Sequence, residues 1–498
     1  MSPKNDTEPL VTVDSNGQLI YGRTKHGERM LDFSHCGYMG GGVALPDAVV
    51  KITLEPLSAP QDEDHDDTER IQAAIDSLGM DKVTSDKDIS AILLRAGTYR
   101  IQGQLKMEKS GVVLRGQGEE TILVCSGTGQ RSLICMSGGA PGPVYKNDGQ
   151  FKIQDEKVPL GETLIHVKHN GTIQVGDRVY VQRNTNNKWI KRLGMDHLED
   201  DPKAGANNWK PETYVQKYER TVIATDEESI TIHVGVPCTI QENFGGGEII
   251  RVKPDRRMSH CGVEYMDIVS DYNGEEDEDH GWKAVDMNCI RDSWVRNVSA
   301  YHFGYSCVSI DEKAIRITVQ DCKYLEPISK IRGGRRYSFN LCGQQCLIQR
   351  CYTSHGRHDY VNGSQVRGPN VFLDCVAVDH HADCGPHHRW SVSTLFDNIK
   401  CPVLNVRNRG TSGTGHGWAG ANMVLWNCTT QKIICEYPPA ANNFCIGCKA
   451  DEFAGDGHFE SQGECVVPRS LYLAQLKERL GMDAVKSVAN EEQFEFLG

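Results

Sequence analysis

Residues 330–416 concentrate groups that could act on an anionic substrate. This stretch holds 11 Lys and Arg, 7 His and 5 Asp and Glu residues, whereas the whole chain has a net charge of -13 at pH 7. An acidic protein that gathers cations on a short stretch is expected to bind an anion there. A solvated surface whose cations are balanced by acids nearby is the alternative interpretation.

The side chains in segments 330–337, 355–359 and 379–390 have the types that β-elimination at a uronic acid requires. A cation must neutralise the carboxylate so that the C5 proton becomes acidic, a base must remove that proton, and an acid must protonate the leaving glycosidic oxygen. A histidine, with an unperturbed pKa near about 6.5, is a suitable base. A guanidinium can pair bidentately with the carboxylate.

These requirements assign His358 as the base, Tyr337 or His388 as the acid, and Arg389 as the partner of the carboxylate. Arg335 is the other candidate for that carboxylate. The predicted substrate-binding residues are Arg335, Arg336, Arg357, His381, His387, His416, Arg409 and Trp390. One of two adjacent histidines could instead bond a backbone carbonyl in a loop.

No metal site is predicted. Zinc bound by His355, His358, His380 and Asp383 is a weaker interpretation, because lyase chemistry can use the same residues without metal. The acidic run 271–280 has oxygen atoms that could bind calcium, but it lacks the spacing of a calcium loop. We therefore interpret the run as a solvated insertion and treat calcium as an optional cofactor only.

A repeat in the second half of the chain indicates the fold. A polar residue or glycine precedes a small or branched apolar residue at intervals of 20 to 30 residues. The pairs are Asp267-Ile268, Asn297-Val298, Asp321-Cys322, Arg350-Cys351, Asp374-Cys375, Asn398-Ile399, Asn427-Cys428 and Gly447-Cys448. This interval is typical of one coil of a parallel β-helix, in which we expect the cysteines to stack inward as free thiols and the polar residues to point outward or form a ladder.

The chain is predicted to be all-β: a right-handed parallel β-helix with an antiparallel β insertion and capping helices. The predicted segments are a leading segment (1–60), the start of the β-helix with a capping helix (61–138), the insertion (139–255), the main coils (256–465) and a C-terminal helix and tail (466–498). The helix of the first coils is expected from residue 67 or 68 to Gly79, and the C-terminal helix from Ser470 to Gly481. Trp189 and Trp209 are expected in loops of the insertion.

A family resemblance agrees with the repeat. Asp66-Asp-Thr-Glu-Arg-Ile-Gln-Ala-Ala-Ile, Leu93-Leu-Arg-Ala-Gly-Thr-Tyr-Arg and Val113-Leu-Arg-Gly-Gln-Gly resemble the entry to the pectate-lyase superfamily of β-helix proteins. The resemblance implies the fold more firmly than the reaction, since the superfamily includes lyases, hydrolases, epimerases and tailspikes. Gly415-His416-Gly417 matches one piece of the hydrolase pattern, but the paired aspartates expected before it are missing.

The leading hypothesis is a polysaccharide lyase that cleaves a uronate-containing polysaccharide. The alternatives are a β-helix glycoside hydrolase using Asp359, Asp379 and Asp383, a non-catalytic glycan-binding or tailspike-like module, and an epimerase. The expected partner is an anionic polysaccharide; net charge disfavours nucleic acid, and no apolar run is long enough for a membrane span. We expect a secreted or periplasmic protein, although no signal peptide is visible; oligomeric state and substrate identity are left open.

Overall fold

Short strands separated by tight corners dominate the computed structural model, which describes residues 9–57, 65–145, 149–200 and 205–495. The predicted segments 1–60, 61–138, 139–255 and 466–498 each include residues outside these ranges. Strands about one repeat apart pair in parallel: Gln320 lies beside Gln349, and Gln349 beside Leu373. The chain therefore winds as a right-handed parallel β-helix, which confirms the fold predicted from the repeat.

Two sides of the solenoid form one 20-stranded sheet, and a third side is a seven-stranded sheet, here called the third face. The larger sheet contains Val49–Leu54, Ser90–Leu94, Gly97–Ile101, Val112–Cys125, Met258–Ser259, Gly262–Ser270, Ile290–Tyr301, Ile315–Gln320, Lys323–Leu325, Leu347–Gln349, Tyr352–Ser354, Asn370–Leu373, Val376–Val378, Thr394–Asp397, Lys400–Val406, Val424–Trp426, Thr429–Cys435, Phe444–Ile446, Lys449–Ala454 and His458–Glu460. The third face contains Leu105–Met107, Ser132–Ser137, Lys283–Asn288, Ser306–Ile310, Phe339–Leu341, Tyr360–Ser364 and Gly385–His388.

The polar residues of the sequence repeat form the corner between the first two sides. Asn297, Asp321, Arg350, Asp374, Asn398, Asn427 and Gly447 have φ values between 50° and 68°. Asn, Asp and Gly enter this left-handed region at the lowest cost, which explains their recurrence. The polar residues that were expected to point outward or form a ladder therefore form a column of left-handed turns, one in each coil.

The first predicted pair of the repeat is out of register. Asp267 and Ile268 pair with Ser299 and Ala300, and Met266 is the residue opposite Val298. The corner of this coil is Tyr265, with φ 57°. A tyrosine at a left-handed position gives no sequence signal. The pattern of polar residues therefore points to Asp267, two positions after the true corner.

The apolar partners of the corner residues point into the lumen. Cys322, Cys351, Cys375, Cys428 and Cys448 are buried in the main core. All 19 cysteines lie in the described part of the chain, and all are free. The column of buried free thiols predicted from the repeat is present.

A helix at the start of the solenoid covers its first coils. It spans Thr68–Leu78, and Ile71, Ala74 and Ile75 join the main core. Asp67 stands at the N-cap position, but its carboxylate accepts hydrogen bonds from the side chain of Arg70 and the backbone of Arg100 rather than capping the helix. The leading segment adds the hairpin Val11–Val13 and Leu19–Tyr21.

The C-terminal helix, Leu471–Leu480, packs along the side of the solenoid. Its N-cap Ser470 accepts a hydrogen bond from the backbone of Leu473, as the sequence predicts. Its apolar side chains join a cluster with the leading segment and with the outer side of the larger sheet. Two short helices, Met482–Val488 and Glu491–Glu495, follow.

The insertion forms a six-stranded antiparallel sheet, also as predicted. Its strands are Gln150–Lys152, Leu164–His166, Arg178–Arg183, Gln216–Thr225, Ser229–Ile232 and Gly247–Arg251, and the strands Lys157–Val158 and Ile240–Gln241 pair beside it. Trp189 is wrongly expected in a loop, because it lies in the helix Asn187–Leu193. None of the helices in the described ranges has the length and apolarity needed to cross a bilayer.

Candidate functional site

Three consecutive coils bring Tyr337, His358 and Asp383 to one end of the third face. Each residue lies shortly before a strand of this face, and these strands pair through Phe339 with Tyr360 and through Val361 with Gly385. Neighbouring parallel strands are about 4.8 Å apart. Residues that are more than 20 positions apart in the sequence therefore become side-by-side neighbours.

His358 has a defined tautomer. Its Nδ1 lies 2.7 Å from Oδ1 of Asp383 and 3.1 Å from the backbone oxygen of the same residue. Both are acceptors, so Nδ1 carries the proton. Nε2 then carries a lone pair, and it is buried without a hydrogen-bond partner among the described residues.

Asp383 is held from a fourth coil. Nη2 of Arg409 donates to both carboxylate oxygens, at 2.9 and 2.8 Å, and Nδ2 of Asn405 donates to Oδ2 at 2.6 Å. Burial alone would raise the pKa of Asp383, but the hydrogen bond from His358 and the charge of Arg409 outweigh it and hold the pKa well below its usual range. Asp383 is therefore a fixed carboxylate that orients His358.

Tyr337, His387 and His388 form a hydrogen-bonded chain beside this pair. Oη of Tyr337 lies 3.3 Å from Nε2 of His387, and Nδ1 of His387 lies 2.9 Å from Nδ1 of His388. The rings of Tyr337 and His387 lie 5.1 and 4.6 Å from that of His358. If the hydroxyl of Tyr337 donates to Nε2 of His387, the proton of this neutral imidazole is on Nδ1. That nitrogen then donates to Nδ1 of His388.

His416 completes the group of aromatic rings. Its ring centroid lies 4.9 Å from those of both His387 and His388. Burial, with the nearby cations, lowers the pKa of His388 to about 3 and that of His416 to about 4, and lowers the pKa of His387 further. These three histidines are therefore neutral near pH 7.

Some of the predicted arginines are bound to other residues of the protein, and others keep a donor that could bind substrate. Arg335 pairs with Glu278 at 2.6 and 2.9 Å, and Arg336 donates to the backbone oxygen of Ser329 at 2.6 Å. Arg357 is half-buried, and its Nη1 has no hydrogen-bond partner among the described residues. Nε of Arg409 is also without a partner among the described residues, but its Nη2 is bound to Asp383, so Arg357 is the more available of the two.

Arg389 is only partly engaged. Its Nη2 donates to the backbone oxygen and the hydroxyl of Thr414, and the side chain is half-buried. Its backbone N–H donates to the carbonyl of His416, which fixes the loop carrying His416 against the third face. Arg389 therefore both shapes the site and presents a charge to it.

Trp390 and His381, both predicted to bind substrate, lie outside the group formed by Tyr337, His358, His387, His388 and His416. Trp390 is 0 % exposed and contacts Trp189 with a centroid distance of 5.0 Å, so it belongs to the core between solenoid and insertion. This burial corrects the expectation that Trp390 contacts substrate. His381 is exposed and lies nearer to His355, with a centroid distance of 6.5 Å.

The role of Asn405, and the pairing of Arg409 with Asp383, could not be found from the sequence. Asn405 is the next-to-last residue of the strand Lys400–Val406 of the larger sheet, and Arg409 follows in the next loop. Neither stands in a motif that points to Asp383. Only composition points to Arg409, since this residue belongs to the cation-rich stretch 330–416.

The zinc interpretation from the sequence does not match the geometry. His358 and Asp383 contact each other on the third face, whereas His380 lies near Asp359 and Cys384 in the lumen. The acidic run 271–280 is engaged in other contacts: Asp271 pairs with Arg100, and Glu278 with Arg335. Within the described ranges, Asp359, His380 and Cys384 are the group with the geometry of a metal site.

No protein-family model and no curated protein matches the chain. Solved structures with a similar course include the tailspike protein gp49 from Pseudomonas phage LKA1 (13 % identity, TM-score 0.47, 77 % of this chain and 57 % of that chain). Others are the tailspike of E. coli bacteriophage HK620 in complex with pentasaccharide (8 %, 0.42, 83 % and 59 %) and iota-carrageenase complexed to iota-carrageenan fragments (7 %, 0.34, 82 % and 59 %). The chain thus spans less than two thirds of each, and TM-scores below 0.5 establish no shared activity.

Proposed function

We propose that this protein is a polysaccharide lyase that cleaves a uronate-containing polysaccharide by β-elimination. The observation that carries the proposal is the pair of His358 and Asp383, in which Nδ1 is bonded to the carboxylate and Nε2 keeps a lone pair. An imidazole oriented by a carboxylate is suited to remove a proton.

Among the four clustered histidines, His358 is the one whose ring nitrogen lies within hydrogen-bond distance of a carboxylate. When it takes up a proton, the resulting imidazolium lies 2.7 Å from the fixed negative charge of Asp383. His388 and His416 have lowered pKa values because they are buried among positive charges. A base needs a conjugate acid that its surroundings stabilise, and His358 has those surroundings.

The arginines would neutralise the uronate carboxylate. Arg357 has an unpaired Nη1, and Arg389 presents a half-buried guanidinium from the adjacent coil. Their charge would stabilise the negative charge that develops when the C5 proton leaves. The unpaired donor makes Arg357 the first choice for this contact and Arg389 the second.

Tyr337 would supply the proton for the leaving group. In this step His358 takes the C5 proton, its electron pair forms the double bond between C4 and C5, and the bond from C4 to the glycosidic oxygen breaks. That oxygen takes the phenolic proton of Tyr337. Tyr337 would then regain a proton from solvent, and His358 would release the C5 proton to solvent, so that both groups return to their starting states.

Substrate must open the site before it can react. Nε2 of His358 is buried beneath the rings of Tyr337 and His387. Tyr337 is half-buried and comes from a loop, so a turn of its side chain would uncover the base. Hydrogen bonds of catalytic groups commonly form only in the substrate complex.

The carboxylates do not favour a hydrolase. Inverting and retaining glycosidases need two carboxyl groups that flank the scissile bond. Asp359 is 0 % exposed, and Asp383 is bonded by His358, Arg409 and Asn405. Neither can reach a glycosidic bond while these contacts hold. Of the three candidate carboxylates this leaves only the exposed Asp379, and a glycosidase needs two.

The test is a screen of anionic polysaccharides, with two product assays on each reaction. A lyase produces an unsaturated uronate that absorbs in the near ultraviolet, together with one new reducing end per cut. Reducing ends without that absorbance would identify a hydrolase and overturn the proposal. Binding without either product would identify a glycan-binding module.

The variant His358→Gln connects the activity to this site. It should lower turnover about 10²- to 10⁴-fold, the usual contribution of a general base. The matched control is His302→Gln, a histidine that pairs with Glu326 at a corner of an earlier coil. Equal activity of the two variants would place the active site elsewhere on the solenoid.

A further inference from the structure

A second group of reactive side chains lies in the lumen, behind the third face. One carboxylate oxygen of Asp359, one nitrogen of His380 and the sulfur of Cys384 are all within 4.8 Å of one another. Asp359 comes from one coil, and the other two residues come from the next. The group therefore connects two neighbouring coils inside the solenoid.

Part of this group lacks the hydrogen bonds that buried polar atoms normally make. Oδ1 of Asp359 accepts from the hydroxyls of Ser338 and Thr353 at 2.6 and 2.9 Å, but Oδ2 has no hydrogen bond. Nδ1 of His380 also has none, although it lies 3.4 Å from that oxygen. The two side chains are 0 % and 2 % exposed. Two facing buried atoms, Oδ2 of Asp359 and Nδ1 of His380, are thus without the hydrogen bonds that buried polar atoms normally make, and a ligand between them would supply the missing partner.

We propose that Asp359, His380 and Cys384 bind a transition-metal ion, and that this ion is Zn²⁺. A carboxylate, an imidazole and a thiolate together suit zinc, whereas calcium and magnesium take oxygen ligands. In a tetrahedral site with zinc–ligand distances of about 2.0 to 2.3 Å, ligand atoms lie about 3.3 to 3.8 Å apart. The 3.4 Å separation of His380 and Asp359 already fits. The sulfur lies within 4.8 Å of both atoms, so an inward shift of about 1 Å or less brings it into this range.

The fourth ligand would be Cys401. Its thiol is buried and lies beside that of Cys384, but its sulfur is outside the group of atoms within 4.8 Å of one another, so Cys401 would have to move inward to bind. Structural zinc sites are closed by four protein ligands, and a site inside a solenoid has this enclosed character. Cys401 belongs to the following coil, so the ion would join three coils in sequence.

Zinc binding would change one existing contact. The backbone N–H of Val403 donates to Nε2 of His380 at 3.2 Å, which leaves the proton of a neutral imidazole on Nδ1. Zinc would replace that proton, so Nε2 would become protonated and the ring would turn from Val403. One hydrogen bond is small against the binding free energy of a structural zinc site.

The ion would hold together the coils that carry His358 and Asp383, without taking part in the proposed reaction. His358 precedes Asp359, and Asp383 precedes Cys384. The pair of His358 and Asp383 therefore joins these two coils on the third face, and the ion would join them a second time in the lumen. Zinc binding is independent of the reaction at His358, and it can be measured without substrate.

The experiment measures metal content and cobalt spectra of the full-length protein. Protein incubated with Zn²⁺ and freed of excess metal should retain about one zinc ion per chain. Replacement by Co²⁺ should give the intense visible bands of a tetrahedral site and a thiolate-to-cobalt charge-transfer band. Cys384→Ser should weaken the charge-transfer band by about half or more, and the double variant Cys384→Ser/Cys401→Ser should abolish it. Cys375→Ser, at a buried cysteine of the core column, should keep the full band.

A second measurement covers variants that fail to fold. Unfolding of the wild-type chain in denaturant is compared after exhaustive chelation, after chelation with Zn²⁺ restored, and after chelation with Ca²⁺ added. Zinc alone should raise the midpoint of unfolding. A chain that retains no zinc, gives no cobalt bands and unfolds identically in all three conditions would overturn the inference.

Discussion

The imidazole of His358 and the carboxylate of Asp383 meet across 2.7 Å, between two successive coils of the solenoid. Asp383 also offers its backbone oxygen to the same nitrogen, at 3.1 Å. One residue thus determines both the tautomer and the orientation of the histidine. This relationship depends on the register of the third face, because a shift of one residue would turn the side chains to opposite sides.

Replacement of Asp383 by Asn tests the pair directly. The amide keeps the shape of the side chain but removes the negative charge that stabilises the imidazolium of His358. Turnover should fall about 10²- to 10³-fold with little change in KM. Steady-state kinetics would measure both constants, and the control His302→Gln should behave as wild type. Unchanged turnover would mean that His358 does not act as a base.

Tyr337→Phe tests the assignment of the acid. The variant keeps the ring contact with His358 but lacks the hydroxyl that faces His387. We expect turnover to fall about 10²-fold or more, while glycan binding is retained. A substrate whose leaving group needs no proton should restore most of the rate. If that substrate is equally slow, the phenol has only a packing role.

The clustered histidines predict a loss of stability in acid. His388 and His416 have folded-state pKa values of about 3 and about 4, below the usual value near about 6.5. The unfolded chain therefore binds more protons, so the free energy of unfolding falls as pH decreases from about 6.5 towards 4. For His416 the facing charges are Arg389, Arg409, His358 and Arg357.

Urea unfolding of the wild-type chain and of His416→Gln over this pH range would measure the effect. Because the side chain is half-exposed, the variant should reduce the slope by about 1 kcal/mol per pH unit or less. A His197→Gln control, altered at an exposed histidine of the insertion, should leave the slope unchanged. Parallel curves for all three proteins would contradict the prediction.

Trp390→Ala should weaken the contact between solenoid and insertion. Trp390 is fully buried and packs edge-on against Trp189. Truncation of a buried tryptophan costs about 3 to 5 kcal/mol. Chemical denaturation would measure the loss, with Leu480→Ala as a control at a side chain that is 48 % exposed. Equal stability of the two variants would show that Trp390 is not a core residue.

Gly447→Ala tests the left-handed corner. Gly447 has φ 68°, and a Cβ there would lie 2.1 Å from Oδ1 of Asn427. Gly274 also has a positive φ, but a Cβ there meets nothing within 4 Å. Gly274→Ala should cost about 1 to 2 kcal/mol from backbone strain alone, and Gly447→Ala clearly more. Thermal unfolding distinguishes them, and equal melting temperatures would contradict the stacked corner.

The fold could be predicted from local patterns because its main features are local. A left-handed corner favours Asn, Asp or Gly, and an inward position next to it favours Cys, Val or Ile. These preferences recur once per coil, and they placed Asn297 to Gly447 in the correct register. The prediction failed at Tyr265, where an unfavourable residue takes the corner and the preference gives no signal.

Local patterns in the chain are enough to predict the solenoid, its first capping helix, the insertion and the cation-rich stretch 330–416. Which of those residues meet depends on packing between distant parts of the chain. Asp383 faces His358 and Arg409, Trp390 is buried, and Asp359 points into the lumen with His380 and Cys384. The reason is physical: composition places charge on a coil, but the register between coils and the direction of each side chain at a corner depend on loop lengths that no local preference specifies.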